Sequence, residues 1–344
     1  MVISYVGADV DCKMTELAVE RKMKIVMRGR VPTDIKSLRE FLGTVSGRKV
    51  MVIEEGPMSG WLYRNLEASV EKFVVCDPRR NKAIYNDGDK SDPIDAAALA
   101  MLQRGGYTRE VYHTDDEDRL ALKEVVALYH DRVKDAVRQV NKLRADCREH
   151  GIRIPTGALK DPQTRKQWIR ELSQPALARR LLILWIGFDA VSQQVKLSRR
   201  ELAQRAKPHP IIAYWQDIPG VGLIRAATLF AYLDTPWRFK TPKKLRKYCG
   251  VGLKRIASGT DNQGRPNPGR LKLFRGVNRK LKSGIQGAAL NAIWQRNNPF
   301  ADHYYRMVHN GMTLSNARHA VARKMLAVMW GMWKTTSRYE ERLV

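Results

Sequence analysis

Val2-Ile3-Ser4-Tyr5-Val6-Gly7-Ala8-Asp9 opens the chain as an apolar run ending in an acid, and its reading decides the fold. β-Branched and aromatic residues crowd it, so it reads as a strand. Runs at residues 17–20 and 24–27 read as two more strands that close a short meander. Pro32-Thr33-Asp34 announces a helix to about residue 44. Val50-Met51-Val52-Ile53 is a compact apolar strand ending at Glu54. Residues 59–69 read as a helix and Phe73-Val74-Val75 as a further strand. Another helix opens near Ser91 and runs to about Gln103, where Gly105-Gly106 stops it. Strands alternating with helices predict an α/β domain over residues 1–113.

Beyond that point the apolar spacing is helical. Leu122, Val125, Val126, Tyr129, Val133, Val137 and Val140 recur through residues 118–148, and a second long helical pattern covers 176–206. A polar break with Gly and Pro at 151–156 separates them. Two long amphipathic helices predict a coiled-coil connector over residues 114–208, with a compact helical subdomain as the alternative. Residues 209–344 read as a mainly α C-terminal domain with a glycine- and base-rich loop at 250–276 and a last helix at 314–334.

Charge is distributed unevenly. The net charge is +27, yet residues 1–110 hold 18 basic and 16 acidic residues. Residues 239–282 hold 14 basic residues and one acid, Asp261. Such concentration would repel itself without counter-charge, which points to a polyanion, most commonly nucleic acid; a solvated basic surface is the plainer alternative. The four cysteines, Cys12, Cys76, Cys147 and Cys249, lack the paired short spacing of a disulfide framework or a zinc site. No apolar run is long enough to span a bilayer, and no basic leader precedes the first strand, so a cytoplasmic protein is expected.

Four acids stand where metal-dependent phosphodiester chemistry would use them. Asp9 and Glu54 end apolar strands, while Asp92 and Asp95 lie at i and i+3 in Ser91-Asp92-Pro93-Ile94-Asp95 and face the same way. If that helix packs across the sheet, the four carboxylates can converge. Such chemistry needs an activated oxygen nucleophile and a stabilised leaving oxygen. A pair of hard divalent ions, Mg²⁺ or Mn²⁺, on carboxylate oxygens supplies both. Each acid also has a plainer reading: Asp92 as a helix N-cap before Pro93, Asp9 as a strand-end turn residue, Glu54 as a solvated acid beside Glu55.

In the C-terminal part, Ile218-Pro219-Gly220-Val221-Gly222 precedes a helical run and looks like a helix-hairpin-helix element, whose free backbone N–H groups at Gly220 and Gly222 would meet a phosphate. A plain helical corner is the alternative. Lys243, Lys244, Arg246 and Lys247 follow, then Lys254 and Arg255, and later Arg275, Arg279 and Lys280, all candidate nucleic-acid contacts. Ser258, in Ala257-Ser258-Gly259, reads by itself as a turn serine. Trp237, Phe239, Tyr248, Phe274 and Tyr304-Tyr305 are interleaved with these bases and suit core packing or base stacking.

Together, Gly7-Ala8-Asp9-Val10, Ile53-Glu54 and Lys90-Ser91-Asp92-Pro93-Ile94-Asp95-Ala96, with the Pro-Gly-Val-Gly and Ser-Gly elements, resemble the DEDD-type insertion-sequence transposases of the "IS one-ten" family. That family includes a pilin-gene inverting recombinase and recombinases guided by a bridging RNA. The resemblance implies an RNase H-like, RuvC-type N-terminal domain, a metal site at Asp9, Glu54, Asp92 and Asp95, and Ser258 as the nucleophile. It further implies DNA and a non-coding guide RNA as partners, assembly as a dimer or tetramer, and a bacterial or archaeal host. The chain departs from the family at Glu54-Glu55-Gly56-Pro57, where relatives carry a small residue and then Thr-Gly. It departs again at Asn267-Pro268-Gly269-Arg270, where they often carry Ser-Lys-x-Gly. The competing expectations are a RuvC-like junction-resolving endonuclease that uses water, and a non-catalytic nucleic-acid-binding protein.

Overall fold

The computed structural model describes residues 2–81, 91–260, 263–265, 267, 269–274 and 276–344. They form two compact units, Met1–Asp115 and Asp116–Val344.

The first unit runs β1 (Ile3–Val10), β2 (Met14–Arg21), β3 (Lys24–Pro32), α1 (Ile35–Thr44), β4 (Arg48–Glu54), α2 (Ser59–Leu66), β5 (Lys72–Cys76), α3 (Pro78–Asn81) and α4 (Asp92–Arg104). The sheet order is β3-β2-β1-β4-β5, antiparallel through the meander and parallel from β1 to β4 to β5. β2 and β3 extend beyond their apolar runs. β3 lies at the sheet edge, where Arg28 and Arg30 are tolerated and leave little hydrophobic pattern to read.

Side-chain alternation gives the sheet two different faces. Val6, Ala8, Leu17, Val19, Met51, Ile53, Phe73 and Val75 point one way, into a core closed by Leu38 and Leu42 of α1 and Leu62 and Leu66 of α2. On the opposite face Val52, Val74 and Cys76 meet Leu99 of α4, and Ala18 meets Ala96 and Ala97. Asp34 caps α1 by accepting from the Ser37 amide at 2.8 Å.

The second unit begins with α5 (Glu117–Glu149), followed by α6 (Pro162–Arg170) and α7 (Pro175–Ala206). α5 and α7 are antiparallel and each extends about 50 Å. At one end Leu143 and Cys147 pack on Leu177, Leu181 and Trp185, with Ile169 of α6 closing a small core. At the other end Leu122, Val126, Leu202 and Ala206 enter the main core of the unit. That core is completed by α8 (Pro210–Gln216), α9 (Leu223–Leu233), α10 (Pro242–Tyr248), α11 (Arg279–Gln295), α12 (Pro299–His309) and α13 (Leu314–Thr335). Trp215 sits at its centre, fully buried, and donates its indole N–H to the Met329 carbonyl at 3.1 Å.

Two elements differ from expectation. The 250–276 segment contains an antiparallel strand pair, β6 (Leu253–Ile256) and β7 (Arg270–Leu273). Each strand has four residues and is largely exposed, so no buried alternation marks it. α6 also interrupts the break between the long helices; Asp161 accepts from the Gln163 and Thr164 amides and Pro162 starts the helix, a start signal in plain view. Of the cysteines, Cys12 is exposed and the other three are buried free thiols. No described helix is long and apolar enough to cross a membrane.

Burial holds His130, His209, His303 and His319 of the second unit below the ordinary imidazole range. Each therefore takes up its proton at lower pH when folded than when unfolded, and the unfolded chain takes up protons below about pH 6.5. A group with a depressed folded pKa stabilises above its unfolded value and loses that contribution as pH falls. The melting temperature of this unit is thus expected to drop as pH goes from 7 to 5; calorimetry showing a rise over that window would contradict the burial of these rings.

Candidate active site

Asp9 and Glu54 become neighbours through strand register. The last registered pair of the parallel β1–β4 ladder is Ala8↔Ile53, so Asp9 and Glu54 follow it side by side at the C-terminal ends of adjacent strands. Ala8 and Ile53 point into the α1/α2 core, so alternation turns both acids toward the other face. That face carries α4.

The direction of α4 is fixed by three contacts. Arg104, its last residue, reaches the buried Glu20 carboxylate at 3.4 Å, and Glu20 is paired with Tyr5. Gly7 lies directly beneath Ala96 and Ala100. Arg28 donates to the Pro93 carbonyl at 2.7 Å. The helix therefore runs opposite to β1, and its first turn, with Asp92 and Asp95, lies toward the Asp9 end. Gly7 makes this approach possible, since a Cβ there would stand 2.0 Å from the Ala96 carbonyl oxygen and 2.6 Å from the Ala100 nitrogen.

Details of α4 correct the capping expectation. Ser91, not Asp92, is the N-cap, without a side-chain cap hydrogen bond, and Asp92 is already inside the helix and exposed. Asp95 is half-buried, and its Oδ1 is buried without a hydrogen-bond partner. Glu54 accepts a 2.8 Å hydrogen bond from Asn81 Nδ2. Asn81 is itself 1% exposed and also bonds the Cys76 sulfur. Burial pushes the Cys76 thiol up to about 11, so it stays protonated beside the acids.

Asn81 and Glu16 were missed in the sequence. Nothing local distinguishes Asn81, which owes its place to the short α3. Glu16 is the register partner of Asp9 on β2 and is held by Arg30 at 3.2 Å. Only the meander register, invisible in composition, brings it beside Asp9. Among the described residues, no group of three or more His, Cys, Asp or Glu side chains is close enough to hold a metal ion.

In the second unit the Pro-Gly-Val-Gly segment joins α8 to α9. Gly220, at φ +82°, is buried against α11, where a Cβ would stand 2.2 Å from the Ala288 carbonyl oxygen. Gly222 is exposed and caps α9. Lys243, Lys244, Lys254, Arg255 and Arg279 are exposed, whereas Arg246, Lys247 and Lys280 are half-buried; Lys280 donates to the Tyr232 hydroxyl at 2.8 Å. Arg275 lies outside the described residues. Phe239 and Tyr304 are core residues, while Trp237 and Tyr305 remain 69% and 47% exposed. Ser258 is exposed just beyond β6 and is followed by Gly259 at φ +71°. On the strand pair before it, Lys254 stands opposite Lys272. Like charges so placed destabilise a ladder unless an anion lies across them.

The mixed five-stranded sheet, with acids ending two adjacent strands and a helix crossing their face, is consistent with an RNase H-like, DEDD-type domain followed by an α-helical region. A family model described as a DEDD transposase of IS110 matches residues 6–149, and one described as "Transposase IS116/IS110/IS902 family" matches residues 213–306. The chain belongs to this IS110/IS902 transposase family. It is 28% identical to the 43.6 kDa protein of insertion element IS110 from Streptomyces coelicolor, over 93% of this chain and 91% of that one. It is 22% identical to y4qE of Sinorhizobium fredii, over 96% and 88%. Against the transposase for insertion sequence element IS1111A of Coxiella burnetii the identity is 24%, over 75% and 70%. Family membership implies transposase activity, DNA binding and dependence on a divalent metal.

Proposed function

We propose that this chain is a site-specific recombinase of an insertion sequence, cutting and rejoining DNA with a Mg²⁺-dependent carboxylate site and a serine nucleophile. The observation that carries the reading is the placement of Asp9 and Glu54 side by side beneath the face crossed by α4, with Asp92 and Asp95 at the near end of that helix. The donor set is all oxygen, as a hard cation prefers, and a cation would satisfy the buried Asp95 Oδ1. When bound, it would neutralise charge on the reacting phosphate and stabilise the leaving oxygen. Asn81 holds Glu54, and Arg30 neutralises Glu16 beside Asp9.

Ser258 would attack phosphorus: its hydroxyl proton passes to solvent, a serine–phosphate ester forms as the bond from phosphorus to the sugar oxygen breaks, and that oxygen takes up a proton and leaves as a sugar hydroxyl. The bond energy is retained, so a second sugar hydroxyl can reverse the step on a new partner strand. Gly222, Lys243, Lys244, Lys254, Arg255 and Arg279 would meet the DNA backbone. Kinship with the pilin-gene inverting recombinase, a non-coding guide RNA, a dimer or tetramer, and a bacterial or archaeal cytoplasm complete the proposal; these rest on the family resemblance.

The test is a trapping experiment. Protein, Mg²⁺, DNA from the borders of the gene and the RNA transcribed beside it are combined, then quenched in detergent. A denaturation-resistant protein–DNA adduct is expected with the wild type and none with Ser258→Ala. Cleaved DNA without an adduct would instead indicate water as the nucleophile, and no cleavage at all would leave a binding protein.

A further inference from the structure

We propose that Arg246, Lys282 and Arg323 form a half-buried seat for one backbone phosphate of the DNA strand that leads to Ser258. The inference rests on the second unit being DNA-binding, and it adds residues and a position that this reading lacks.

The seat surrounds the turn Gly250-Val251-Gly252, which feeds directly into β6. Arg323 of α13 donates to the Val251 carbonyl at 3.5 Å, and Arg246 of α10 donates through Nε to the Arg323 carbonyl at 3.2 Å. Lys282 of α11 lies over Gly250, its Cδ 3.1 Å from where a Cβ would be. Gln286, one turn after Lys282, bonds His319, one turn before Arg323, at 3.1 Å. Arg323 and Lys282 thus bring cations from two helices to one turn, and Arg246 of a third is held on the backbone of Arg323.

All three cations are half-buried, and none bonds a carboxylate among the described residues. Between residues 239 and 330 the sequence holds only two acids, Asp261 and Asp302. Burial and the neighbouring Arg246 charge push the Arg323 guanidinium below its usual range, and burial with Arg323 and Lys282 does the same to His319. Partly buried charge without a counter-charge is unfavourable, so folding has assembled an arrangement that an anion would stabilise. Each guanidinium carries five N–H donors and each arginine here donates one side-chain hydrogen bond among the described residues, which leaves donors for a phosphate. From Gly252 the chain reaches Ser258 in six residues, roughly 20 Å when extended. The seated phosphate is therefore a few nucleotides from the one attacked, and these side chains position the strand without touching the reacting atoms.

The experiment scans border duplexes in which single phosphates are replaced by neutral methylphosphonates, with binding read by fluorescence anisotropy. For the wild type, one position on one strand is expected to weaken binding about tenfold. Arg323→Gln and Lys282→Gln should each weaken the unmodified duplex by a similar factor, become insensitive at that same position, and lower the slope of log K against log[salt] by about one. Inorganic sulfate should raise the melting temperature of the wild type more than that of Arg323→Gln, a difference that a purely structural arginine would not produce. Variants that stay as sensitive as the wild type at every position overturn the seat, as does coupling confined to methylphosphonates in the adjacent RNA. A wild type with no affinity for any duplex overturns the wider reading as well. Should Arg323→Gln not fold, Lys282→Gln alone decides.

Discussion

Asp95→Asn is expected to lower strand exchange between two plasmids by about a thousandfold or more, while the metal-free protein melts no lower than the wild type. The two halves of this result come from the same atom. Asp95 Oδ1 is buried without a partner, on the first turn of a helix whose start faces the Asp9–Glu54 end of the sheet. In the absence of a cation such an oxygen is a liability, because a buried acceptor without a partner costs free energy. An amide of the same shape removes the charge and lets the fold relax. With a cation, the charge is what matters, because a neutral amide oxygen is a far weaker ligand for Mg²⁺. Loss of about 4 kcal/mol in the transition state corresponds to the thousandfold stated. Asp9→Ala should match it in activity. Near-wild-type exchange by Asp95→Asn would remove this residue from the site, and a marked fall in melting temperature would mean that its carboxylate is structural.

The acids were legible because each sits at a place where pattern changes: Asp9 and Glu54 where an apolar run ends, Asp92 and Asp95 where a helical period begins. Strand order was less legible. That β1 lies between β2 and β4, and so puts Asp9 between Glu16 and Glu54, depends on pairing across the sheet. Local propensity carries no information about it. The exposed β6–β7 pair escaped for a related reason: Leu253-Lys254-Arg255-Ile256 does not alternate, and Arg270-Leu271-Lys272-Leu273 alternates over only four residues, too few to mark a strand. Arg323 and Lys282 are 41 residues apart and read as ordinary surface cations of two helices. Only packing around the Gly250 turn gives them a common object. Conversely, the long helices α5 and α7 were clear because their apolar spacing persists over more than thirty residues.

Gly7→Ala is expected to disable the enzyme through its fold, with every acid left in the sequence. A single methyl group at this position would meet the Ala96 carbonyl oxygen at 2.0 Å and the Ala100 nitrogen at 2.6 Å. Both are backbone atoms of α4, so no rotamer change relieves the overlap, and the helix has to lift. Overpacking that side chains can absorb costs about 1–3 kcal/mol. Here the lift also separates Arg104 from Glu20, whose carboxylate is completely buried, which adds to the cost. The expected result is a clear fall in melting temperature, faster amide exchange through residues 92–104, and no detectable strand exchange, because Asp92 and Asp95 move with the helix. Ala96→Gly should not rescue it, since the obstacle is the Ala96 carbonyl and not its methyl group. Gly43→Ala on α1, where a Cβ meets nothing within 4 Å, is the matched control and should be neutral or slightly stabilising. If Gly7→Ala keeps wild-type stability and exchange, α4 does not rest on β1 in the working enzyme, and the carboxylate site as argued from that contact fails with it.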